Sequence, residues 1–177
     1  MSKSLKKSEL KNFIRDVPDF PKPGIIFKDI TPLLRDHSAL KKSIDLMAKK
    51  YKKDKIDYVV AVEARGFIFG TALAYKLGAG FIPIRKRGKL PYKTKSISYQ
   101  LEYGTDNLEI HEDAIMPNSR VLVVDDLLAT GGTVKAVTSL LREQNANIIG
   151  IACLVELKFL KGKDQLTDFP LYSLIKY

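Results

Sequence analysis

The chain has 177 residues, 45% of them hydrophobic and 28% charged, with a formal net charge of +10. That length and apolar content fit one domain with an adequate core. A lone cysteine excludes an intramolecular disulfide, the N-terminus lacks the apolar core of a signal peptide, and no apolar run approaches a membrane span, so a cytoplasmic chain with no membrane partner is expected.

The lysines cluster, at Lys3, Lys6, Lys7, Lys41, Lys42, Lys49, Lys50, Lys52, Lys53 and Lys55. Most fall on the polar sides of predicted helices, and no helix-turn-helix, RNA-recognition or zinc-finger signature accompanies them. The charge therefore reads as a solvated face that attracts a polyanionic small substrate, with no nucleic-acid partner.

Leu5, Leu10, Phe13, Ile14 and Val17 recur at mostly helical intervals and predict an N-terminal helix ending near Pro18. Residues 20–32 are too rich in Pro and Gly for a helix and too apolar for an idle loop, which suggests an extended lid. Asp36 or Ser38 suits the cap of a following helix with Leu40, Ile44, Met47, Ala48 and Tyr51 along one face. A strand at 58–62 leads into Glu63-Ala64-Arg65-Gly66, and 67–77 reads as a helix closed by Gly78.

After a strand at 81–84, residues 85–95 carry six cations, Arg85, Lys86, Arg87, Lys89, Lys93 and Lys95, with Gly88 and Pro91 as breakers. A mobile loop is expected there. Ile97, Tyr99, Leu101 and Tyr103 then alternate with Ser98, Gln100 and Glu102, and Leu108 and Ile110 resume the alternation after Gly104. This pattern predicts a protruding hairpin outside the core sheet, with Glu102 on its polar face. Strands at 121–124 and 147–157 complete an alternation of strands and helices that implies an α/β fold with a parallel sheet. Cys153 lies inside the second of these strands and reads as a packed thiol.

The most informative stretch follows the strand at 121–124. Asp125 and Asp126 leave the strand end, Ala129, Thr130, Gly131, Gly132 and Thr133 form a turn, and Val134, Val137, Leu140 and Leu141 recur at helical spacing. A helix beginning at such a turn presents unpaired N–H groups, and glycines allow close backbone approach, so the turn suits one monophosphate. The adjacent carboxylates can accept hydrogen bonds from ribose hydroxyls. Neither the Gly-Lys of a triphosphate loop nor a G-x-G-x-x-G is present. Arg65, the basic run from Arg85 and the Asp125 turn all follow strand ends, which places them around one crevice.

The run from strand through Asp-Asp to Thr-Gly-Gly-Thr resembles the phosphoribosyl-diphosphate (PRPP) motif of type I phosphoribosyltransferases. Ala129 stands where 6-oxopurine members usually carry an acid, and Leu127-Leu128-Ala129-Thr130-Gly131-Gly132-Thr133 is similar to the adenine branch of that family. Residues 21–32, Glu63-Ala64-Arg65-Gly66-Phe67, residues 85–91 and Leu101-Glu102-Tyr103-Gly104 match the same branch, so the likeness spans roughly residues 18–160. Lys28 and Ala64 depart from it, standing where many members have Arg and some have Ser.

The resemblance implies a purine salvage enzyme that converts adenine and PRPP to AMP and pyrophosphate with Mg²⁺, working as a homodimer. It implies one domain, with an N-terminal helix and base-binding lid over about residues 1–35 and a flexible catalytic loop and hairpin over about 85–112. Asp125, Asp126 and residues 129–133 are assigned to ribose 5-phosphate. Arg65, Lys86, Arg87, Lys89 and Tyr103 go to pyrophosphate and its loop, and Ile26, Phe27 and Lys28 to adenine. Glu102 would receive or orient the N9 proton, and Mg²⁺ would be held mainly through substrate oxygens and water, with no direct protein ligand expected. The rival reading is a non-catalytic PRPP-sensing regulator of the same fold.

Overall fold

A computed structural model of the chain describes residues 5–100 and 105–177. The chain packs as two compact units, residues 1–46 and 47–177. In the first, Lys7–Phe13 form a 3-10 helix and strands β1 (Arg15–Pro18) and β2 (Ile26–Asp29) pair antiparallel, Arg15 opposite Asp29 and Pro18 opposite Ile26. The helix expected over the whole of 5–17 is thus a short 3-10 turn followed by a strand. Tertiary pairing decides this, because ladder partners eight to fourteen residues away satisfy the backbone of 15–18 better than another helical turn would. Gly24 N–H donates to Asp19 Oδ1 at 2.7 Å and closes the intervening turn.

The stretch expected to be extended from 20 to 32 is extended only in β2. Thr31 and Pro32 already belong to helix α1 (Thr31–Arg35), where Pro sits in a first turn that needs no N–H from it. Helix α2 (His37–Tyr51) follows, and Asp36 Oδ1 accepts the Ala39 N–H at 2.8 Å as its cap. Its buried stripe is Ala39, Ser43, Met47, Ala48 and Tyr51, while Leu40 and Ile44 are only half-buried. Ser43 can join the stripe because its hydroxyl donates to the Ala39 carbonyl at 2.7 Å.

The second unit is built on one seven-stranded sheet in the order β5-β6-β4-β3-β7-β8-β9. The strands β3 (Tyr58–Val62), β4 (Gly80–Lys86), β7 (Arg120–Leu128), β8 (Asn147–Glu156) and β9 (Leu171–Lys176) run parallel, and β5 (Thr94–Gln100) and β6 (Thr105–His111) form an antiparallel edge. Helix α3 (Gly66–Leu77) ends at Gly78 with φ +67°, as its sequence predicts, and helix α4 (Gly132–Glu143) follows β7. Alternation along the strands sends Val60, Val62, Val121 and Val123 into a core with Val134, Val137, Leu140 and Leu141 of α4. Ala61 faces the other way, where a Cβ added to Gly70 of α3 would lie 2.6 Å from its methyl. The two helices therefore cover opposite faces of the sheet.

Two expectations change here. The β5–β6 hairpin is not separate from the core sheet, since β6 pairs with β4 at Arg85–Glu109 and Lys86–Leu108, and Leu108 and Ile110 are fully buried. Arg85 and Lys86 accordingly end a strand and do not begin a loop. Glu102 and Tyr103 lie outside the described residues. Among the described residues no helix is long and apolar enough to cross a membrane.

Because Leu122 sits fully buried in the middle of the sheet, Leu122→Ala should lower the free energy of unfolding by about 2–5 kcal/mol, the usual range for a core leucine. Tyr75→Ala, at a residue 87% exposed, should stay within about 0.5 kcal/mol of wild type. Urea denaturation of the two variants checks the contrast.

Candidate active site

At the carboxyl ends of β3, β4 and β7 lies a cavity of about 380 Å³. Its lining brings together Glu63, Ala64 and Arg65 after β3, Lys86 at the end of β4, Tyr99 and Asp106 of the hairpin, and residues 125–134. Of the sequence-predicted residues, Arg65, Lys86, Asp125, Asp126, Ala129, Thr130, Gly131, Gly132 and Thr133 meet here. Arg87 and Lys89 do not line the cavity, and Ile26, Phe27 and Lys28 belong to the first unit.

The acid pair is part of β7 and does not follow its end. Asp125 pairs with Cys153 of β8, and Leu127 and Leu128 continue the ladder, because Leu128 is buried and its carbonyl accepts the Leu157 N–H at 2.9 Å. Gly131, at φ +90°, caps α4 in a conformation that a side chain would disfavour, and the next N–H groups open the helix toward the cavity without intrahelical acceptors.

Asp125 Oδ1 accepts the Asp126 N–H at 2.8 Å, and Arg65 Nε lies 2.8 Å from Asp126 Oδ2, so an ion pair spans from the β3–α3 turn to the strand beside it. Burial, then the neighbouring Asp126 charge, pushes the Asp125 carboxyl well above the usual carboxylate range. Burial also raises Asp126, against the Arg65 guanidinium that favours its charge. Two crowded carboxylates of this kind favour cations and hydroxyl donors as ligands. Burial, and then the Asp125 charge, likewise drives the Cys153 thiol up, in keeping with a packed residue.

Residues 30–172 match the family described as "Phosphoribosyl transferase domain". The adenine phosphoribosyltransferase of Syntrophotalea carbinolica is 59% identical over 169 residues, covering 96% of this chain and 99% of that one. The chain belongs to the adenine phosphoribosyltransferases. The crystal structure of the member from Thermoanaerobacter pseudethanolicus superposes with a TM-score of 0.94 at 52% identity, over 97% of this chain and 100% of that one. A Saccharomyces cerevisiae structure, complexed with an imino-altritol bisphosphate and adenine, gives 0.89 at 41% identity over 95% of this chain and 97% of that one. The α/β fold with a mostly parallel sheet flanked by helices is the fold of this family.

Three residues of the cavity escaped assignment from sequence. Glu63, in the match to this family but given no role, has a side chain only 8% exposed. Its carboxylate accepts the Lys86 N–H at 2.6 Å and bonds from Arg85 Nε and Nη2 at 3.3 and 3.1 Å, with Lys89 Nζ at 3.4 Å. Lys86 Nζ in turn pairs with Asp106 at 2.9 Å, and Gly88 N–H donates to Glu109 Oε2 at 2.9 Å. The basic run expected to be mobile from Arg85 is therefore fastened through Lys89 by three acids. Tyr99 is half-buried, and burial raises the pKa of its phenol against the opposing influence of the Thr133 hydroxyl. The alternation of the hairpin put Tyr99 beside Ile97 on the apolar face, which hid the reach of its hydroxyl. The peptide bond between Glu63 and Ala64 is cis.

Burial alone would raise Glu63, but the Lys86 N–H, Arg85 and Lys89 outweigh it and hold the carboxyl below its ordinary value. A depressed folded-state pKa gives stability that is complete above the unfolded value of about 4.3 and lost as pH falls through the folded one. Glu63→Gln should therefore destabilise the fold by about 1–3 kcal/mol at pH 7, with the gap from wild type closing below about pH 4. Thermal unfolding of both proteins across that range measures it, and a gap that stays constant with pH would contradict the assignment.

Proposed function

We propose that the chain transfers the phosphoribosyl group of PRPP to N9 of adenine, releasing AMP and pyrophosphate. The observation that carries this reading is the meeting of Arg65, the Asp125–Asp126 pair and the N-terminus of α4 in one cavity. Its volume lies within the range of small-molecule sites. The full-length likeness to adenine phosphoribosyltransferases favours the enzyme over a PRPP-sensing regulator of the same fold.

In this reading the turn at 129–133 holds the 5′-phosphate through the open N–H groups of α4 and the hydroxyls of Thr130 and Thr133. Asp125 and Asp126 accept from the 2′- and 3′-hydroxyls of the ribose. Cleaving the anomeric C–O bond builds negative charge on pyrophosphate, and Arg65, with Lys86, Arg87, Lys89 and Tyr103, is set to stabilise it. The crowded acid pair, Asp126 buried and Asp125 half-buried, fits a cation held mainly by substrate oxygens and water, as Mg²⁺ prefers, and Mg²⁺ when bound would neutralise charge on the leaving group.

Adenine is assigned to β2, with the Ile26 backbone accepting from the 6-amino group and donating to N1, Phe27 stacking and Lys28 donating to a ring nitrogen. Lys28 is buried and bound to Asp16 at 2.6 Å, so its ammonium is already oriented by a carboxylate. Hypoxanthine would set O6 against a carbonyl and N1–H against a donor, at about 1–3 kcal/mol for each unpaired group. Glu102 receives or orients the N9 proton, and closure of the surrounding hairpin would desolvate it and exclude water. The reading includes a single working domain, with residues 1–35 as lid and 85–112 as catalytic loop and hairpin. It also includes a cytoplasmic homodimer with no nucleic-acid or membrane partner.

Pyrophosphate release should require adenine and PRPP together, with adenine exceeding hypoxanthine by at least about tenfold. Glu102→Gln should fold and bind AMP normally while losing about 10²-fold or more in turnover. Release independent of the base, or a turnover loss under about threefold when chemistry limits the rate, would count against the site or against Glu102 respectively.

A further inference from the structure

We infer that Gly162, some thirty residues beyond the phosphate turn in sequence, is a positioning residue that sets the shape of that turn. The inference rests on the reading of residues 129–133 as the 5′-phosphate site. Gly162 is buried and opens a 3-10 helix (Gly162–Gln165) whose backbone lies directly against Ala129, Thr130 and Gly131. A Cβ on Gly162 would overlap the Ala129 carbonyl oxygen and come within 2.9 Å of both Gly131 N and the Thr130 carbonyl carbon. The reverse holds as well, since a Cβ on Gly131 would lie 2.5 Å from Gly162 O and 3.3 Å from its Cα. Each glycine is needed by the other. The obstacles are all backbone atoms, so no side-chain rotation relieves either clash, and one of the two segments must move.

The 157–166 segment is the stiffer of the two. Leu157 N–H is bound to Leu128 O and Lys158 N–H to Tyr177 O, each at 2.9 Å. Lys161 N–H donates to Lys158 O at 3.0 Å and Asp164 N–H to Lys161 O at 2.9 Å, so consecutive tight turns surround Gly162. Leu166 then anchors the far end, 2% exposed in the core that contains Val134, Val137 and Leu140. The phosphate turn has two adjacent glycines, and its described backbone bonds sit at its flanks, from the Leu157 N–H to Leu128 O and from the Lys135 N–H to Gly131 O, each at 2.9 Å. A side chain at 162 would therefore displace the turn, carrying the Ala129 carbonyl and the cap of α4 away from the phosphate position. Displacements of about 1 Å at a binding group can cost on the order of 10²-fold.

The test is Gly162→Ala, with ribose 5-phosphate binding read by calorimetry and steady-state kinetics for both substrates. The variant should bind ribose 5-phosphate about tenfold or more weaker and raise the KM for PRPP while leaving that for adenine unchanged, a split that general loosening of the fold would not produce. A folded variant whose ribose 5-phosphate affinity is within twofold of wild type would overturn the inference. Should the variant not fold, hydrogen exchange on the wild type decides. Ribose 5-phosphate should slow exchange in residues 158–165 together with 129–134, and unchanged exchange in 158–165 would overturn the role. If the wild type binds ribose 5-phosphate yet forms no AMP, the proposed reaction falls while the role of Gly162 still stands or falls by these binding data. A wild type that binds no ribose 5-phosphate removes both.

Discussion

Parallel pairing of β3 with β7, Tyr58 opposite Val121 through Ala61 opposite Val124, is the constraint from which the site follows. Side-by-side parallel strands end at the same edge, so whatever follows each one shares a single crevice. Arg65 after β3 and Asp126 in β7 are thereby brought to 2.8 Å although sixty residues apart in sequence. The first residue of α3 is a glycine, and a Cβ there would stand 3.0 Å from Asp125 Oδ1. Strand register, helix start and acid pair are thus one arrangement. Its cost is that two carboxylates are crowded in a partly dry place, and Arg65 offsets only part of it.

A second layer of charge holds the cations near this crevice in order. Glu63 engages the strand-end segment from Arg85 to Lys89 through guanidinium, ammonium and backbone N–H, Asp106 through the Lys86 ammonium and Glu109 through the Gly88 N–H. Arg85 also donates to the Lys89 carbonyl at 3.1 Å, closing the segment on itself. Much of the positive charge of the chain lies elsewhere, on exposed lysines such as Lys41, Lys49, Lys50, Lys52 and Lys53. Charge at the crevice is organised by several partners, and most of the charge far from it is exposed.

What could be read from sequence was what is local. The glycine turn that opens α4, the Gly78 stop and the Asp36 cap are encoded by neighbours within a few residues, and all three stand in the structure, although β7 runs on through the acid pair. Features that depend on distant partners were not legible. The strand at Arg15–Pro18 exists because of β2, and the hairpin joins the sheet through the pairing of Arg85 and Lys86 in β4 with Glu109 and Leu108. The strand β9, a short run after Pro170, pairs with β8 and gave no signal of its own. Glu63 and Gly162 carry no local pattern at all. The first is defined by cations more than twenty residues away, the second by the backbone it touches.

The single cysteine offers a last consequence. Cys153 is wholly enclosed in the central sheet, opposite Asp125 in the ladder, and its thiol is kept protonated by that setting. Thiolate chemistry at this position thus needs the core between the sheet and α4 to open, not merely a loop to move. Because there is no other sulfhydryl to compete, alkylation of the native protein acts as a one-atom clock for opening of that core. Any ligand that bridges the strand ends slows that clock in proportion to how firmly it ties them together.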